Sequence, residues 1–367
     1  MLRHVLGISG GKDSAALAIY MKDKYPSLNV DYYTSDTGKE LEETYLLIEN
    51  LENFLGKKIE KLSAASNSHI NPFDHHWKLN GFYLPSATAR WCTKKLKLDP
   101  FEKFVGTDPV VSYVGIRGDE DREGYISTKT NIQSIFPFRR NIWSEDVISK
   151  ALTNNNKERL LDYYLSGVTD KKSARFESIL SQSLSISFQQ SQKLNLLLDT
   201  NVRDFNRIIF EYLKTTSYPL ALETIFPLID NGDVLVRDDI FRILRESGVG
   251  VPAYYEKKAF ETEEGNRGEY SRSRSGCFFC FYQQKIEWVW LYENHTAKFF
   301  EAMEYEKDGY TWQQDERLED LINPERIQQI KEDYIIKTAR NKSKIKSPYL
   351  LDILDEEEEV GCASCFI

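Results

Sequence analysis

Apolar and polar positions alternate between two kinds of segment over the first 145 residues. Short, mostly apolar runs typical of buried strands occur at 4–8, 29–35, 57–63 and 108–116. The segments 14–25 and 38–56 instead carry apolar residues at helical spacing. Strands that alternate with helices are typical of parallel α/β sheets. Residues 1–144 are therefore predicted to form an open, mainly parallel sheet with helices on both faces.

The pattern changes at about residue 145. Residues 145–233 are rich in Leu, Asn, Gln and Ser and carry apolar positions at helical spacing, which predicts an all-helical insertion. Residues 234–345 form a C-terminal part, expected to be helical and to pack on the α/β domain, and 346–367 an acidic, cysteine-containing tail. The insertion is interpreted as a packing or partner platform rather than a catalytic domain.

Composition narrows the class of protein. The chain has 367 residues, 41% of them hydrophobic. It has no apolar run long enough for a membrane span or a secretory signal, so a cytoplasmic location is expected. The net charge of −9 argues against a generally basic, nucleic-acid-coating surface. A local basic groove is expected instead, from the stretch SRSRSG at 271–276 together with Lys94, Lys95 and Lys97.

The stretch SGGKDS at 9–14 lies between the first strand and the first helix. It is not a Walker A loop, because Leu6 stands five positions before Gly11 and Asp13 follows Lys12. Glycines let backbone amides turn towards an anion, and a helix start adds positive potential. The sequence therefore predicts a phosphate-binding loop made of Ser9, Gly10, Gly11, Lys12, Asp13 and Ser14.

This hexad resembles the PP-loop of the N-type ATP pyrophosphatases. Three further stretches are similar to the phosphoadenosine phosphosulfate (PAPS) reductase branch: TSDTGKELEET at 34–44, ATARWCTKKLKLDPFEKF at 87–104 and GIRGDEDREGY at 115–125. Glu120 and Arg122 stand one residue closer together than that branch's pattern has them. The matches cover about residues 4–145 and 234–306.

The resemblance implies an adenine nucleotide α-hydrolase-like fold and cleavage of ATP to AMP and pyrophosphate, with adenylation of a substrate oxygen. Lys12, Asp13 and Ser14 would act on the leaving pyrophosphate together with Mg²⁺. Asp36 is the candidate for a ribose or metal contact, within a turn completed by Thr37 and Gly38. The cations expected to complete the anion site are Arg90, Lys94, Lys97 and Arg117.

Five cysteines occur as Cys92 alone, Cys277 with Cys280, and Cys362 with Cys365. Relatives linked to DNA phosphorothioation hold an iron–sulfur cluster, so the resemblance implies a [4Fe–4S] site on Cys92, Cys277 and Cys280. The fourth ligand expected shortly after Cys280 is missing, which leaves Cys362, or alternatively Cys365. Structural Zn²⁺ and metal-free thiols stay open as alternatives. The terminal pair is open to a sulfur-carrier role, a disulfide or no role.

The sequence thus favours an enzyme that splits ATP for sulfur transfer, with DNA or RNA as the leading acceptor. A cysteine desulfurase is the expected sulfur donor, and a partner protein would dock on the helical insertion. Sulfonucleotide reductases of the same branch tend to lack the loop lysine, so retention of Lys12 favours ATP cleavage. Two alternatives stay open: a thiol-dependent PAPS or APS reductase, and a nucleotide-sensing regulatory or defence subunit.

Overall fold

A five-stranded parallel sheet forms the centre of the α/β part. The computed structural model describes residues 2–120, 127, 129–167 and 172–344. The sheet order is β3-β2-β1-β4-β5, with the strands β1 (Arg3–Gly7), β2 (Val30–Ser35), β3 (Ile59–Leu62), β4 (Val110–Tyr113) and β5 (Ile132–Ile135). The predicted α/β class with a parallel sheet is confirmed. The strand β5 was not predicted, because IQSI is short and half polar and becomes a strand through its pairing with β4.

Helices cover both faces of this sheet. On one face Val5 packs with Tyr33 and Phe101, whereas its neighbour Leu6 packs in a separate cluster with residues of the first two helices. Burial on both faces explains why the strands are nearly continuous apolar runs. The helices of this part are α1 (Lys12–Lys24), α2 (Glu42–Leu55), α3 (Pro72–Leu79), a π-helix (Thr93–Leu98) and α4 (Asp99–Val105).

The segment after the sheet is helical throughout its described part, as expected. Its described part contains α5 (Glu145–Ala151), α6 (Lys157–Ser166), α7 (Ala174–Ser181), α8 (Gln190–Thr200), α9 (Val202–Leu213) and three 3₁₀ turns. Its buried side chains belong to the same hydrophobic cluster as those of α1 and α2. The Trp143 indole donates a hydrogen bond of 2.9 Å to the Asn206 amide oxygen, which ties this segment to the end of the sheet region.

The C-terminal part builds a second core that is rich in aromatic side chains. Leu41, Phe73 and Leu96 from the first part are buried in this core, so the two parts pack together. Its elements are α10 (Arg237–Glu246), β6 (Lys258–Glu261), β7 (Arg267–Tyr270), α11 (Lys285–Asn294), α12 (Thr296–Met303), α13 (Leu318–Leu321) and α14 (Pro324–Lys344). The antiparallel β6–β7 hairpin corrects the expectation of a purely helical part. In the described ranges, no helix combines the length and the apolar character that crossing a membrane requires.

Candidate nucleotide and cysteine site

The strand order places the predicted loop at a natural ligand crevice. The chain runs from β1 outwards to β2 and β3, and β4 then returns to the other side of β1. Leu6 pairs with Tyr113 in register, so the loops after β1 and β4 leave the sheet side by side. In open α/β sheets, ligands bind outside the carboxyl ends of the strands where the order reverses. The hexad 9–14 follows β1 at this point.

Both glycines of the hexad are required by space. Gly10 has φ +73°, and a Cβ there would lie well inside contact distance of Thr44 Cγ2. A Cβ on Gly11 would collide with Ser275 Oγ. The Tyr254 hydroxyl donates to the Gly10 carbonyl at 3.0 Å and fixes the turn from the far side. Because Gly11 provides no side-chain cap, the first amides of α1 are left for another acceptor, as in anion-binding loops.

The two serines hold the loop rather than face outwards. Ser14 Oγ accepts the Ser9 amide at 3.1 Å and donates to the Gly11 carbonyl at 3.2 Å. It also lies 3.1 Å from Ser9 Oγ. These bonds close the strand-to-helix turn on itself, so we assign both hydroxyls a shaping role in this conformation.

A buried charge network lies behind the loop. Lys12 Nζ lies 3.0 Å from Asp13 Oδ2, and Arg117 Nη1 lies 3.0 Å from Asp13 Oδ1. Arg117 also pairs with Asp119 and Glu120. Burial on its own would raise the pKa of Asp13, but Lys12 and Arg117 outweigh it and hold that pKa below its ordinary value. Burial lowers the pKa of Arg117, yet Asp13 and Glu120 raise it overall.

This network changes the role expected of Arg117. Its guanidinium pairs with three carboxylates, so it orients Asp13 instead of offering a charge to phosphate. A Cβ on Gly115 would lie 2.9 Å from the Asp13 carbonyl oxygen, so the chain after β4 closely approaches α1. Arg122, from the same sequence stretch, lies outside the described residues.

The basic stretch 271–276 covers the loop. Ser275 lies against Gly11, and the Tyr255 hydroxyl accepts the Lys12 amide at 3.4 Å. Lys12 is consequently only 7% exposed. Arg272 is fully buried and donates to the Cys277 carbonyl at 3.1 Å and to Gln283 at 2.7 Å. Since inner acceptors hold Arg272, this arginine is not free for the phosphate contacts expected of the stretch, whereas Arg274 is half-buried.

The turn after β2 carries Asp36, Thr37 and Gly38. Asp36 Oδ1 accepts the Gly38 amide at 2.8 Å and the Tyr45 hydroxyl at 3.1 Å. Gly38 has φ +75°, and a Cβ there would lie 2.6 Å from Asn71 Cβ. Among the described residues, none hydrogen-bonds Asp36 Oδ2. This oxygen is the one that Asp36 retains for a ribose hydroxyl or a cation.

The same turn contacts the C-x-x-C segment. Thr37 Oγ1 lies 3.2 Å from Cys277 Sγ and donates to Glu40 Oε1 at 2.6 Å. The Phe278 amide donates to the Lys39 carbonyl at 2.8 Å. Cys92, Cys277 and Cys280 all line one cavity of about 50 Å³, together with Thr37 and Lys97. The structure thus brings together three cysteines that lie up to 188 positions apart in the chain (280 − 92).

Two of the thiols in this cavity, those of Cys277 and Cys280, are held in the protonated form. Burial, reinforced by Glu40, raises the pKa of Cys277, and burial raises that of Cys280. Thiolate ligands form by proton loss on metal binding, so this environment does not by itself activate the sulfurs. Within the ranges that the structure describes, no three His, Cys, Asp or Glu side chains are arranged to hold a single metal ion. Cys362 and Cys365, named as the fourth ligand, lie outside the described residues.

The remaining predicted cations lie away from the loop. Arg90 and Lys94 line a separate surface cleft, whereas Lys97 lines the cysteine cavity. Sequence reasoning missed Tyr254, Tyr255 and Glu40, and it did not place Ser275 on the loop. Glu40 lies inside the stretch 34–44 that the sequence analysis singles out, so its position in that stretch was a signal for it. The two tyrosines carry no local signal, because their contacts with the loop span more than 240 positions.

Comparison with known proteins adds one relative. No family model matches the chain. The chain is 31% identical over 173 residues to a protein of Methanocaldococcus jannaschii described only as uncharacterized. That match covers 43% of this chain and 34% of the relative, so the chain spans about a third of the length of the protein it matches.

Proposed function

We propose that this chain is a PP-loop enzyme that cleaves ATP to AMP and pyrophosphate and adenylates a substrate oxygen for sulfur transfer. The observation that carries the proposal is the hexad 9–14 at the point where the strand order reverses, with two glycines at which a Cβ would collide with Thr44 or Ser275. The lysine and aspartate needed for a pyrophosphate-binding loop are both present there. In this proposal the fold is of the adenine nucleotide α-hydrolase-like type.

The loop residues would bind the leaving group. The substrate oxygen attacks the α-phosphorus, the bond to the bridging oxygen of the β-phosphate breaks, and the substrate proton passes to solvent. The amides at the start of α1 and the Lys12 ammonium would bind the pyrophosphate. Among the described residues, the carboxylates of Asp13, Asp119 and Glu120 lie beside Lys12 and Arg117. A divalent cation such as Mg²⁺ would therefore accompany the phosphates and neutralise their charge when bound.

The cysteine cavity would supply the sulfur side of the reaction. Three thiols converge beside Thr37, one fewer than the four that a [4Fe–4S] cluster or a structural Zn²⁺ takes. Cys362 or Cys365 is proposed as the fourth ligand, with the iron–sulfur cluster preferred over Zn²⁺. A sulfide-level nucleophile, released from the persulfide of a cysteine desulfurase by a thiol reductant, would then attack the adenylated acceptor, and AMP would leave with the activated oxygen.

Nucleic acid is the proposed acceptor, as in DNA backbone phosphorothioation, and the proposed setting is defence. The helical segment 145–233 packs on the α1 face of the sheet and is proposed as the docking platform for a partner protein. Neither role is required for the ATP chemistry.

Pyrophosphate release tests the central step. With ATP and Mg²⁺, we expect the wild-type chain to release pyrophosphate and Lys12→Ala to slow release by about 100-fold or more. Lys22→Ala, at the exposed end of the same helix, is the matched control and should keep the wild-type rate. Release of sulfite from PAPS with no pyrophosphate from ATP would instead establish a sulfonucleotide reductase.

Anaerobic purification tests the metal. We expect a brown protein with visible iron–sulfur absorption that Cys277→Ser abolishes. Ser66→Ala, at an exposed serine on the loop before α3, is a control that should keep the colour. A colourless protein with one zinc ion per chain would refute the iron–sulfur assignment.

A further inference from the structure

A surface cleft opens next to the cysteine cavity. It measures about 490 Å³ and is lined by Asn80, Tyr83, Ala89, Arg90, Trp91 and Lys94. Two of these side chains are cationic, two are aromatic and none is a carboxylate. On a chain of net charge −9, this local excess of positive charge points to an anionic occupant.

The rim of the cleft exposes aromatic surface that folding does not use. Tyr83 is 49% exposed, and its neighbour Phe82 is 41% exposed. Phe82 has φ +64°, the only positive φ of a non-glycine residue in the described part of the chain. Its amide donates to the Trp77 carbonyl at 2.8 Å, which holds it in this conformation. The Phe82 ring packs edge-to-face on Trp77 with centroids 4.9 Å apart, which fixes the strained turn that leads into Tyr83; strain of this kind is frequent at binding sites.

The cleft and the cysteine cavity share a wall. The π-helix that begins at Thr93 carries Lys94 into the cleft and Lys97 into the cavity. The Arg90 guanidinium lies 5.8 Å from the centre of the Tyr282 ring, and Tyr282 lines the cavity. A molecule in the cleft would therefore contact the same wall that lines the cysteine cavity on its other side. Irregular π turns inside helices occur frequently at functional sites.

We propose that this cleft binds single-stranded nucleic acid, with bases stacked on Tyr83 and Trp91 and backbone phosphates on Arg90 and Lys94. Aromatic platforms flanked by cations are how proteins bind single strands without reading sequence. A duplex keeps its base faces stacked on one another, so it cannot use the two rings. The role of the cleft rests on the proposed function, because a strand bound there would present its backbone to the proposed sulfur site. Binding of the strand itself requires no ATP.

Tyr83 is the sharpest position for a test. The Tyr83 ring contacts the Tyr310 ring, with the two centroids 4.4 Å apart. The Trp91 indole donates a hydrogen bond of 3.1 Å to the backbone carbonyl of Tyr83, not to its side chain. Tyr83→Ala therefore removes the stacking platform and keeps the hydrogen bond that positions Trp91. Tyr83→Phe keeps the ring and serves as the conservative variant.

Fluorescence anisotropy of the full chain with a labelled single strand of about 15 nucleotides measures the binding. We expect Tyr83→Ala to weaken affinity for the strand by about tenfold and Tyr83→Phe, which keeps the ring, to bind as the wild type does. Lys94→Ala should weaken affinity and lower the salt slope by about one. Lys58→Ala, a lysine exposed on another face, should bind as the wild type does. Comparing the affinities for DNA and RNA strands of the same sequence shows which of the two nucleic acids the cleft prefers.

Three results would overturn the inference: wild-type affinity in Tyr83→Ala, equal affinity for the matching duplex, or no binding of either strand. The proposed function fails by a different measurement. Binding that depends on Tyr83 without any pyrophosphate release from ATP would leave the cleft assigned and refute the ATP chemistry. Lys12-dependent release with no strand binding would do the reverse.

Discussion

The phosphate loop and the cysteine cavity follow neighbouring strands, yet they hold their carboxylates in opposite ways. Asp13, behind the loop, is paired with Lys12 and Arg117, and its pKa is lowered. Glu40, beside the cavity, accepts hydrogen bonds from the hydroxyls of Thr37 and Tyr45. Burial raises the pKa of Glu40, and the charge of Asp36 raises it further. The hydrogen bonds from Thr37 and Tyr45 act to lower this pKa but do not outweigh burial. The difference shows that two directly paired cations outweigh burial at Asp13, whereas burial prevails at Glu40, whose hydrogen-bond donors are hydroxyls and the Lys39 amide.

The two regions also differ in how they are built. The loop side is a turn between adjacent elements, closed by bonds within residues 9–14. The cavity is assembled from three segments, around Thr37, Cys92 and Cys277. We therefore expect single changes to cost more stability on the loop side, where charge and space are both fixed.

The largest expected effect comes from Arg117→Met. This change leaves Asp13 and Glu120 buried without their shared cation, which costs about 3–5 kcal/mol of unfolding free energy. Urea denaturation at neutral pH measures it. Arg242→Met, which removes an exposed arginine paired within α10, should leave the midpoint unchanged. A loss under about 1 kcal/mol in Arg117→Met would contradict the buried network.

The same network sets the acid limit of stability. Because the folded pKa of Asp13 lies below its unfolded value of about 3.9, its contribution is complete above that pH. It is lost as the pH falls through the lower, folded value. In Arg117→Met this contribution should shrink, so the wild type and the variant converge in acid.

Gly10→Ala should come next. It combines a left-handed backbone with a collision against Thr44, and we expect a loss of about 2–4 kcal/mol. Gly56→Ala is the matched control, since its φ is +64° with open space around the new Cβ, and it should cost about 1 kcal/mol. Equal losses in the two variants would show that the collision with Thr44 is absent.

A smaller effect tests the contact between the two regions. Gly11→Ala places a methyl group on Ser275 Oγ, and we expect a loss of about 1–3 kcal/mol. Ser275→Gly removes that atom, so the double variant should recover most of the loss. A double-mutant cycle with a coupling energy near zero would mean that segment 271–276 does not cover the loop.

The smallest effect is expected at Glu40. Its folded pKa is raised, so the folded state favours the protonated acid. As the pH rises above the unfolded value of about 4.3, the wild type should lose stability relative to Glu40→Gln until the folded pKa is passed. Exposed Glu60→Gln, on β3, is the control. A difference between wild type and Glu40→Gln that grows in the opposite direction with pH would reverse the assignment.

Much of the fold was accessible from the sequence because it depends on local patterns. Four of the five parallel strands follow from apolar runs, and the helical segment 145–233 follows from its spacing. The strand β5 and the β6–β7 hairpin were not predicted from these patterns. Their strand conformation comes from pairing with a neighbour, which a linear pattern does not encode.

The sequence by itself determined the backbone of the candidate site. Gly10 and Gly11 between a buried strand and a helix dictate a tight turn at the start of α1, and the C-x-x-C spacing places two thiols together. Tertiary structure decided what faces them. Arg117 reaches Asp13 across 104 positions and Tyr254 reaches Gly10 across 244, while Ser275 covers Gly11. Spacing fixes local conformation, but ion pairs, pKa values and burial depend on groups that only packing brings within a few ångströms.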